Sequence, residues 1–282
     1  MREFDEIGYW SVVKLEIIKE YASAYAHILT AKKLPHSYID AFAGAGRHRL
    51  KKRGGFVVGS PINALKVQPP FKDYYLIDID ERRIGGLRRL IGDRPGVHLD
   101  SGDCNKILLE KVLPLFRYET YRRALCILDP YGLQLNWEVM ATAGRLGTID
   151  LFLNFPVMDM NRNVLWHNPE RVSSQQQARM DAFWGDHSWK QVAYTSARSL
   201  FGELEREPIE TVAEGFRKRL IEIGGFSRVP DPLPMRNEQG AIIYYLFFAA
   251  QVDVAEKIVT DIFDKYRSFG GSDVAGLLDR MD

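Results

Sequence analysis

The sequence predicts an α/β fold: a doubly wound, mainly parallel sheet with helices on both faces and a helical insertion late in the chain. Three observations predict it. First, YYLIDID (74–80), ALCILDP (124–130) and IDLFLNFP (149–156) are apolar almost throughout, without polar alternation. Strands of that kind are buried on both faces, as in a parallel sheet covered by helices. Second, these runs alternate with helix-length segments, the rhythm of βαβ units. Third, polar residues stand at five successive strand ends, where open parallel sheets bind ligands.

The elements follow in order. Val13, Ile17, Ile18, Tyr21, Tyr25, Ile28 and Leu29 lie at helical spacing, so 9–33 is one long amphipathic helix. Pro35 ends it before a strand at about 36–42. A polar, basic loop follows, RHRLKKRGGFVVG. Ser60-Pro61 then reads as an N-cap with proline in the first turn, opening a short helix to Val67. The strand 74–80 leads into ERRIGGLRRL, helical despite two glycines. GVHLDSGD is a strand and turn, and 105–116 a helix. The strand 124–130, a helix over 135–144 and the strand 149–156 complete the regular part.

Beyond Pro156 the rhythm breaks. Residues 157–205 are rich in Asn, Arg, Gln, Trp and His, and WHNPERVSSQQQARMDAFWGDHSW reads as an exposed helical insertion or cap beside the site. A helix over 210–223, a candidate edge strand in GGFSRVPDPLPM, the buried strand AIIYYLFFAA and a closing helix over 254–266 follow, before a loosely held tail. The expected division is 1–35 as a helix packing on the core, 36–156 as the cofactor-binding half, 157–207 as the insertion, and 208–282 as the completion of the sheet.

Composition narrows the function. The 282 residues are 46% hydrophobic and 27% charged, ordinary for a globular chain of this size. A net charge of +1 provides no global field toward nucleic acid or membrane, so such affinity needs a local patch. The two cysteines, Cys104 and Cys126, form no CxxC pair, which argues against a disulfide framework or a cysteine-held cluster. The six histidines show no metal-ligand spacing, and no metal is expected. MREFDEIGYW lacks a signal-peptide core and no apolar run reaches membrane-spanning length, so a cytoplasmic location without membrane partners is expected.

The most informative stretch is YIDAFAGAG (38–46). A buried strand ends in Asp40 and turns into small residues and two glycines, Gly44 and Gly46. Glycine there permits a positive φ and close backbone approach, as a nucleotide-type cofactor loop needs. The later strand ends add Asp78 and Asp80, then Asp100 to Asp103, then Asp129-Pro130-Tyr131-Gly132, then Asn154-Phe155-Pro156. Each has a plainer reading. Asp40 would cap its turn, Asp78 and Asp80 would be helix N-terminal acids complementing the dipole, Asp103 would be an N-cap, and Asp129-Pro130 would be a strand exit. Their joint occurrence at the same edge favours a site.

The series IDAFAGAG, YLIDID, DSGD and LDPYG resembles the motifs of class I S-adenosylmethionine-dependent methyltransferases, over about 36–156. With KLEIIKEYASAYAHIL and PMRN…GAIIYYLFFAAQ, the chain resembles the three-Cys-motif partner proteins, encoded beside a radical-SAM-like protein bearing three cysteines. The resemblance implies a Rossmann-like, seven-stranded sheet with the last strand antiparallel, S-adenosylmethionine as cofactor, and the three-Cys-motif protein as partner. It places Asp40, Phe42, Gly44, Gly46, Asp78, Ile79, Asp103 and Cys104 around the cofactor. Asp78 would accept the ribose hydroxyls and Asp103 the adenine amine. Asp129, Pro130 and Tyr131 resemble the (D/N)PP(Y/F) motif of amino-methyltransferases, where acid and proline carbonyl hold the target amine and the ring stacks on the base. One proline stands here where that motif has two. The resemblance thus implies a methyltransferase acting on a nucleic acid or nucleotide amine. The alternative is a catalytically silent scaffold that binds nucleic acid or the partner protein. A nicotinamide oxidoreductase fits less well, because Gly46 is followed by Arg47-His48-Arg49 rather than the rest of GxGxxG.

Arg47, Arg49, Lys51, Lys52 and Arg53 follow the glycine loop and would form a phosphate-binding patch or a solvated loop. Trp166, His167, Trp184, His187 and Trp189 would line a stacking surface or, as the favoured reading, form a small core of the insertion.

Overall fold

The computed structural model describes residues 6–50, 55–198 and 204–269. Its centre is a seven-stranded sheet. In chain order the strands are β1 (His36–Asp40), β2 (Asp73–Asp78), β3 (Val97–Ser101), β4 (Arg123–Leu128), β5 (Ile149–Phe155), β6 (Leu233–Arg236) and β7 (Ile242–Ala249). Their order across the sheet is β6-β7-β5-β4-β1-β2-β3. The pairs among β1 to β5 are parallel, while β7 runs antiparallel to both β5 and β6. The strand order reverses between β1 and β4, which opens the crevice where such sheets bind ligands.

The helices are α1 (Tyr9–Ala31), α2 (Ser60–Lys66), α3 (Glu81–Ile91), α4 (Cys104–Ile107), α5 (Trp137–Leu146), α6 (Val157–Asn163), α7 (Ser174–Trp184), α8 (Trp189–Ala193), α9 (Ile209–Glu222) and α10 (Asp253–Tyr266). The central strands are buried on both faces because successive side chains enter different cores. Ala124, Cys126 and Leu128 of β4 join one apolar cluster with α5, α7 and α9. Leu125 and Ile127 join the other, with α1, α3 and α10. Strand β7 divides in the same way, with Phe247 in the first cluster and Phe248 in the second. This is why the strands read as unbroken apolar runs. Among the described residues no helix is long and apolar enough to cross a membrane.

Four details correct the sequence reading. The described residues on either side of 51–54 form strands rather than a loop. Arg47–Leu50 and Phe56–Val58 pair antiparallel, and Glu6–Ile7 adds a parallel strand, so backbone pairing orders what charge suggested was solvated. Gly59, not Ser60, is the N-cap of α2, which frees the Ser60 hydroxyl to bond Asp40. The helix expected over 105–116 is regular only to Ile107. It widens into a π turn at Leu108–Val112 and tightens into 3₁₀ at Leu113–Phe116, where Pro114 supplies no N–H to continue the α ladder.

The insertion is not exposed throughout. Met180, Phe183, Trp184 and Trp189 are fully buried, and Phe183 stacks on Phe216 of α9 (ring centroids 5.4 Å apart). Hydrophobic burial overrides the polar composition. Trp184 and Trp189 are buried in the main core with the sheet and α9 rather than in a small core of the insertion, whereas Trp166 and His187 stay exposed. Lys51, Lys52, Arg53 and the tail from 270 lie outside the described residues.

Helix α3 keeps its two glycines without a packing reason at Gly85, where a built Cβ has only Arg89 Nη1 within reach, at 3.8 Å. Gly85→Ala is expected to stabilise the fold by about 0.5–1 kcal/mol and raise the melting temperature by roughly 1–4 °C. Scanning calorimetry checks this, and an unchanged or lowered midpoint contradicts it.

Candidate functional site

The site lies at the carboxyl ends of β1, β2, β4 and β5. After β1 the chain passes through Gly44 at φ 63° and Gly46 at φ 79°. A Cβ at Gly44 would meet open space, so the φ angle alone calls for glycine there. At Gly46 a Cβ would stand 2.8 Å from Leu87 Cδ1, so both conformation and crowding require it.

Asp78, buried at the end of β2, holds this loop. Its Oδ2 accepts from Gly44 N (3.0 Å) and its Oδ1 from Asp80 N (2.9 Å). Arg83 Nη1 stands 3.7 Å from Oδ2. A carboxylate offers about four lone-pair sites, so two remain for a ligand. Beside it Ile79 is 80% exposed, an isolated apolar side chain next to a buried acid. Asp80 has the plainer role expected of it. It caps α3 by accepting from Arg82 N, and it pairs with the Arg82 guanidinium, which holds its carboxyl at about 2.

Asp103 also caps a helix. Its Oδ1 accepts from Asn105 N (2.9 Å) and Asn105 Nδ2 (3.0 Å). Its Oδ2 makes no hydrogen bond among the described residues, and the residue is exposed. Asn105 also donates to Gln134 O (2.9 Å) and accepts from Asn136 N (2.7 Å). It thereby fastens the turn after β3 to the loop after β4, a link the sequence reading missed. Cys104 is buried, with its thiol pushed up to about 12 by burial and the neighbouring Asp103. Burial raises Cys126 likewise, so neither is a thiolate nucleophile. Among the described residues no group of three His, Cys, Asp or Glu is placed to hold a metal ion.

Asp40 is fully enclosed. Its Oδ1 accepts from Phe42 N (3.1 Å) and its Oδ2 from the Ser60 hydroxyl (2.5 Å). Burial outweighs these bonds and, with Asp129 and Asp78 nearby, raises its carboxyl to about 7.

Asp129, Pro130 and Tyr131 come together with Phe42 and Gly44 around one cleft of about 360 Å³, closed on its far side by Trp10, Lys14 and Tyr244. Lys14, buried on α1, forms an ion pair with Asp129 Oδ2. Asn154 Nδ2, from β5, donates to Asp129 Oδ1 (2.8 Å) and lies 3.5 Å from Pro130 O. Asn154 Oδ1 is a buried acceptor without a hydrogen-bond partner among the described residues. Tyr131 is 67% exposed, and the Arg83 guanidinium lies 5.9 Å from its ring centroid. Lys14 was legible only as a charge on the apolar stripe of α1, one turn before Ile17 and Ile18.

The insertion fixes this loop. Asp159 of α6 accepts from Leu133 N (2.8 Å) and from Arg179 Nη2 of α7 (2.7 Å). A Cβ at Gly132 would stand 2.4 Å from Asp159 Oδ2, so glycine is needed for this approach. The sequence reading identified neither Asp159 nor Arg179. Arg47 and Arg49 are exposed on the small sheet, and His48 between them lines the cleft.

No family model matches the chain, and no curated relative matches its sequence. Solved structures similar to it include the following three. Protein LPL1258 from Legionella pneumophila str. Philadelphia 1, described under the family model DUF519, is 12% identical with a TM-score of 0.45, covering 89% of this chain and 92% of that one. A putative S-adenosylmethionine dependent methyltransferase from Listeria monocytogenes is 14% identical (TM-score 0.39; 82% and 100% covered). The plantazolicin methyltransferase BpumL, in complex with SAH, is 12% identical (TM-score 0.34; 86% of each chain).

Two outcomes are expected. Below about pH 4 Asp40 is protonated in both folded and unfolded chains. As pH rises toward 7 the unfolded chain loses this proton first, so Asp40's contribution to stability falls across that window and levels off above it. Asp150, raised to about 6 by burial, acts with the same sign. Asp40→Asn is therefore expected to make the decline in melting temperature from pH 4 to 7 shallower, and an unaltered slope contradicts this. Gly132→Ala is expected to cost about 1–3 kcal/mol by overpacking against Asp159. Urea unfolding measures it, and a cost near zero refutes the contact.

Proposed function

We propose that the chain binds S-adenosylmethionine over the ends of β1 to β3 and transfers its methyl group to an amine held at Asp129-Pro130-Tyr131. The Asp78–Gly44 bond carries this reading. It sets an acid with spare lone pairs under a positive-φ glycine loop, and Gly44 of that loop lines the cleft that holds Asp129.

The residues present fit that cofactor. Gly44 leaves open space for its methionine part, and Asp40 lies beside that loop. Asp78 would accept the ribose hydroxyls, Ile79 offers an apolar face to the adenine, and the second oxygen of Asp103 would accept the adenine amine. When bound, the cofactor supplies an electrophilic methyl on sulfur. The protein's part is to orient a nucleophile. Asp129 and Pro130 O would accept the amine's N–H bonds and so direct its lone pair. Lys14 and Asn154 keep the carboxylate from rotating. The proton released from the methylated amine would pass to Asp129, which is in contact with the open cleft. The exposed Tyr131 ring offers a stacking surface for a base, and a base in a duplex must first be flipped out.

One observation favours a second reading, a silent scaffold that binds nucleic acid or a three-Cys-motif partner. Lys14 and Asn154 already engage both Asp129 oxygens. Titration calorimetry and a methyl-transfer assay separate the two. S-adenosylmethionine is expected to bind wild type, at least tenfold more weakly to Asp78→Ala, and normally to Asp129→Ala, which should lose transfer by about 10²-fold or more. Binding without transfer to any nucleic acid amine supports the scaffold. A folded wild type that binds no cofactor defeats both cofactor-dependent steps.

A further inference from the structure

Helix α3 and the segment after it, 81–94, carry five arginines (Arg82, Arg83, Arg88, Arg89 and Arg94) and no lysine, against two acids. A hollow of about 710 Å³ runs between α3 and the edge strand β3, lined by Arg82, Arg83, Arg88 and Arg89 and also by Asp80, Glu81 and Asp100. A second, of about 670 Å³, continues past Arg88 to Arg94. Arg83 lines both the first hollow and the Asp129 cleft, so the basic trough opens into the site.

A solvated charged face is the plain alternative, and two features oppose it. Exposed helices support their charge with acids four residues away. Here Ile84 and Gly85 stand one turn before Arg88 and Arg89, whose side chains make no ion pair or hydrogen bond among the described residues. In addition, Gly85 and Gly86 weaken the helix between the arginine pairs, and Gly85 has no packing role. Together they leave a stretch of backbone without side chains beside the guanidinium groups of Arg88 and Arg89, while Arg82 and Arg83 are already paired with Asp80 and Asp78. Guanidinium groups bind phosphate in bidentate fashion, better than lysine does. The exposed Ile79, next in the chain to Asp80 of the first hollow, and Tyr131, beside Arg83, offer apolar faces to bases.

We propose that this trough holds the phosphodiester backbone of a nucleic acid strand whose target base enters the Asp129 cleft. The proposal rests on the amine-methylation reading for the destination of that base, while the binding face is tested separately.

The test is fluorescence anisotropy of labelled single-stranded RNA and of duplex DNA with wild type, Arg88→Glu/Arg89→Glu and Lys218→Glu/Lys257→Glu. The last pair makes the same change in net charge on exposed positions of α9 and α10. Wild type is expected to bind at least one probe, with affinity falling steeply as salt rises. The α3 variant should bind about tenfold or more weakly, with its salt slope reduced by roughly two. The control variant should stay within about twofold of wild type. Calorimetric affinity for S-adenosylmethionine should not change in the α3 variant, so failure of the cofactor reading and failure of this one are seen in different measurements. The proposal is overturned if wild type binds neither probe or if both variants weaken equally. It is also overturned if phosphatidylserine vesicles bind the α3 face as tightly as nucleic acid does.

Discussion

The site depends on one carboxylate placed between two turns. Asp78 accepts from Gly44 on one side and Asp80 on the other, so the end of β2 fixes both the glycine loop after β1 and the entry to α3. Burial makes this bond matter. A backbone N–H enclosed at a sheet edge must find an acceptor, and a carboxylate is the strongest one available. The two turns are thereby held in fixed positions relative to each other.

A second constraint shapes the other half of the cleft. The loop from Asp129 to Leu133 has one proline and would be free to move on its own. Asn154 fastens its start, Lys14 pairs with its acid, and Asp159 captures its end across Gly132. These groups come from β5, α1 and the insertion, elements far apart in the chain. The rigidity that a second proline would supply within the motif is supplied here by tertiary contacts. The insertion is therefore part of the site's frame, through Asp159 and Arg179, and its aromatic residues anchor it to α9.

Much of the fold was legible because its signals are local. Apolar strands buried on both faces lack alternation, and β4 and β5 show this within seven or eight residues. The glycines at 44 and 46 announce a turn by their conformational freedom. Asp80 at a helix N-terminus, and the N-cap as the plainer reading of Asp103, were legible because a cap needs only the next two or three residues. The small sheet after Gly46 was misread because its pairing joins Glu6–Ile7 to Arg49–Leu50, and neither segment is apolar enough to show it. The exposure of the insertion was misread for the same reason. Met180, Phe183 and Trp184 are few among polar neighbours, and only the apolar face of α9 gives them a place to bury.

The sequence by itself determined the sheet's class and the acids and glycines standing at the carboxyl ends of its strands, because period and turn chemistry act over a few residues. Only the tertiary structure decided which groups those acids meet. It paired Lys14 with Asp129, set Asp159 against Gly132, bound Asp78 to Gly44, and joined the arginines of α3 to the cleft through Arg83. Charge pairing and close backbone approach depend on distances in space, and a separation of 115 residues between Lys14 and Asp129 leaves no trace in local pattern.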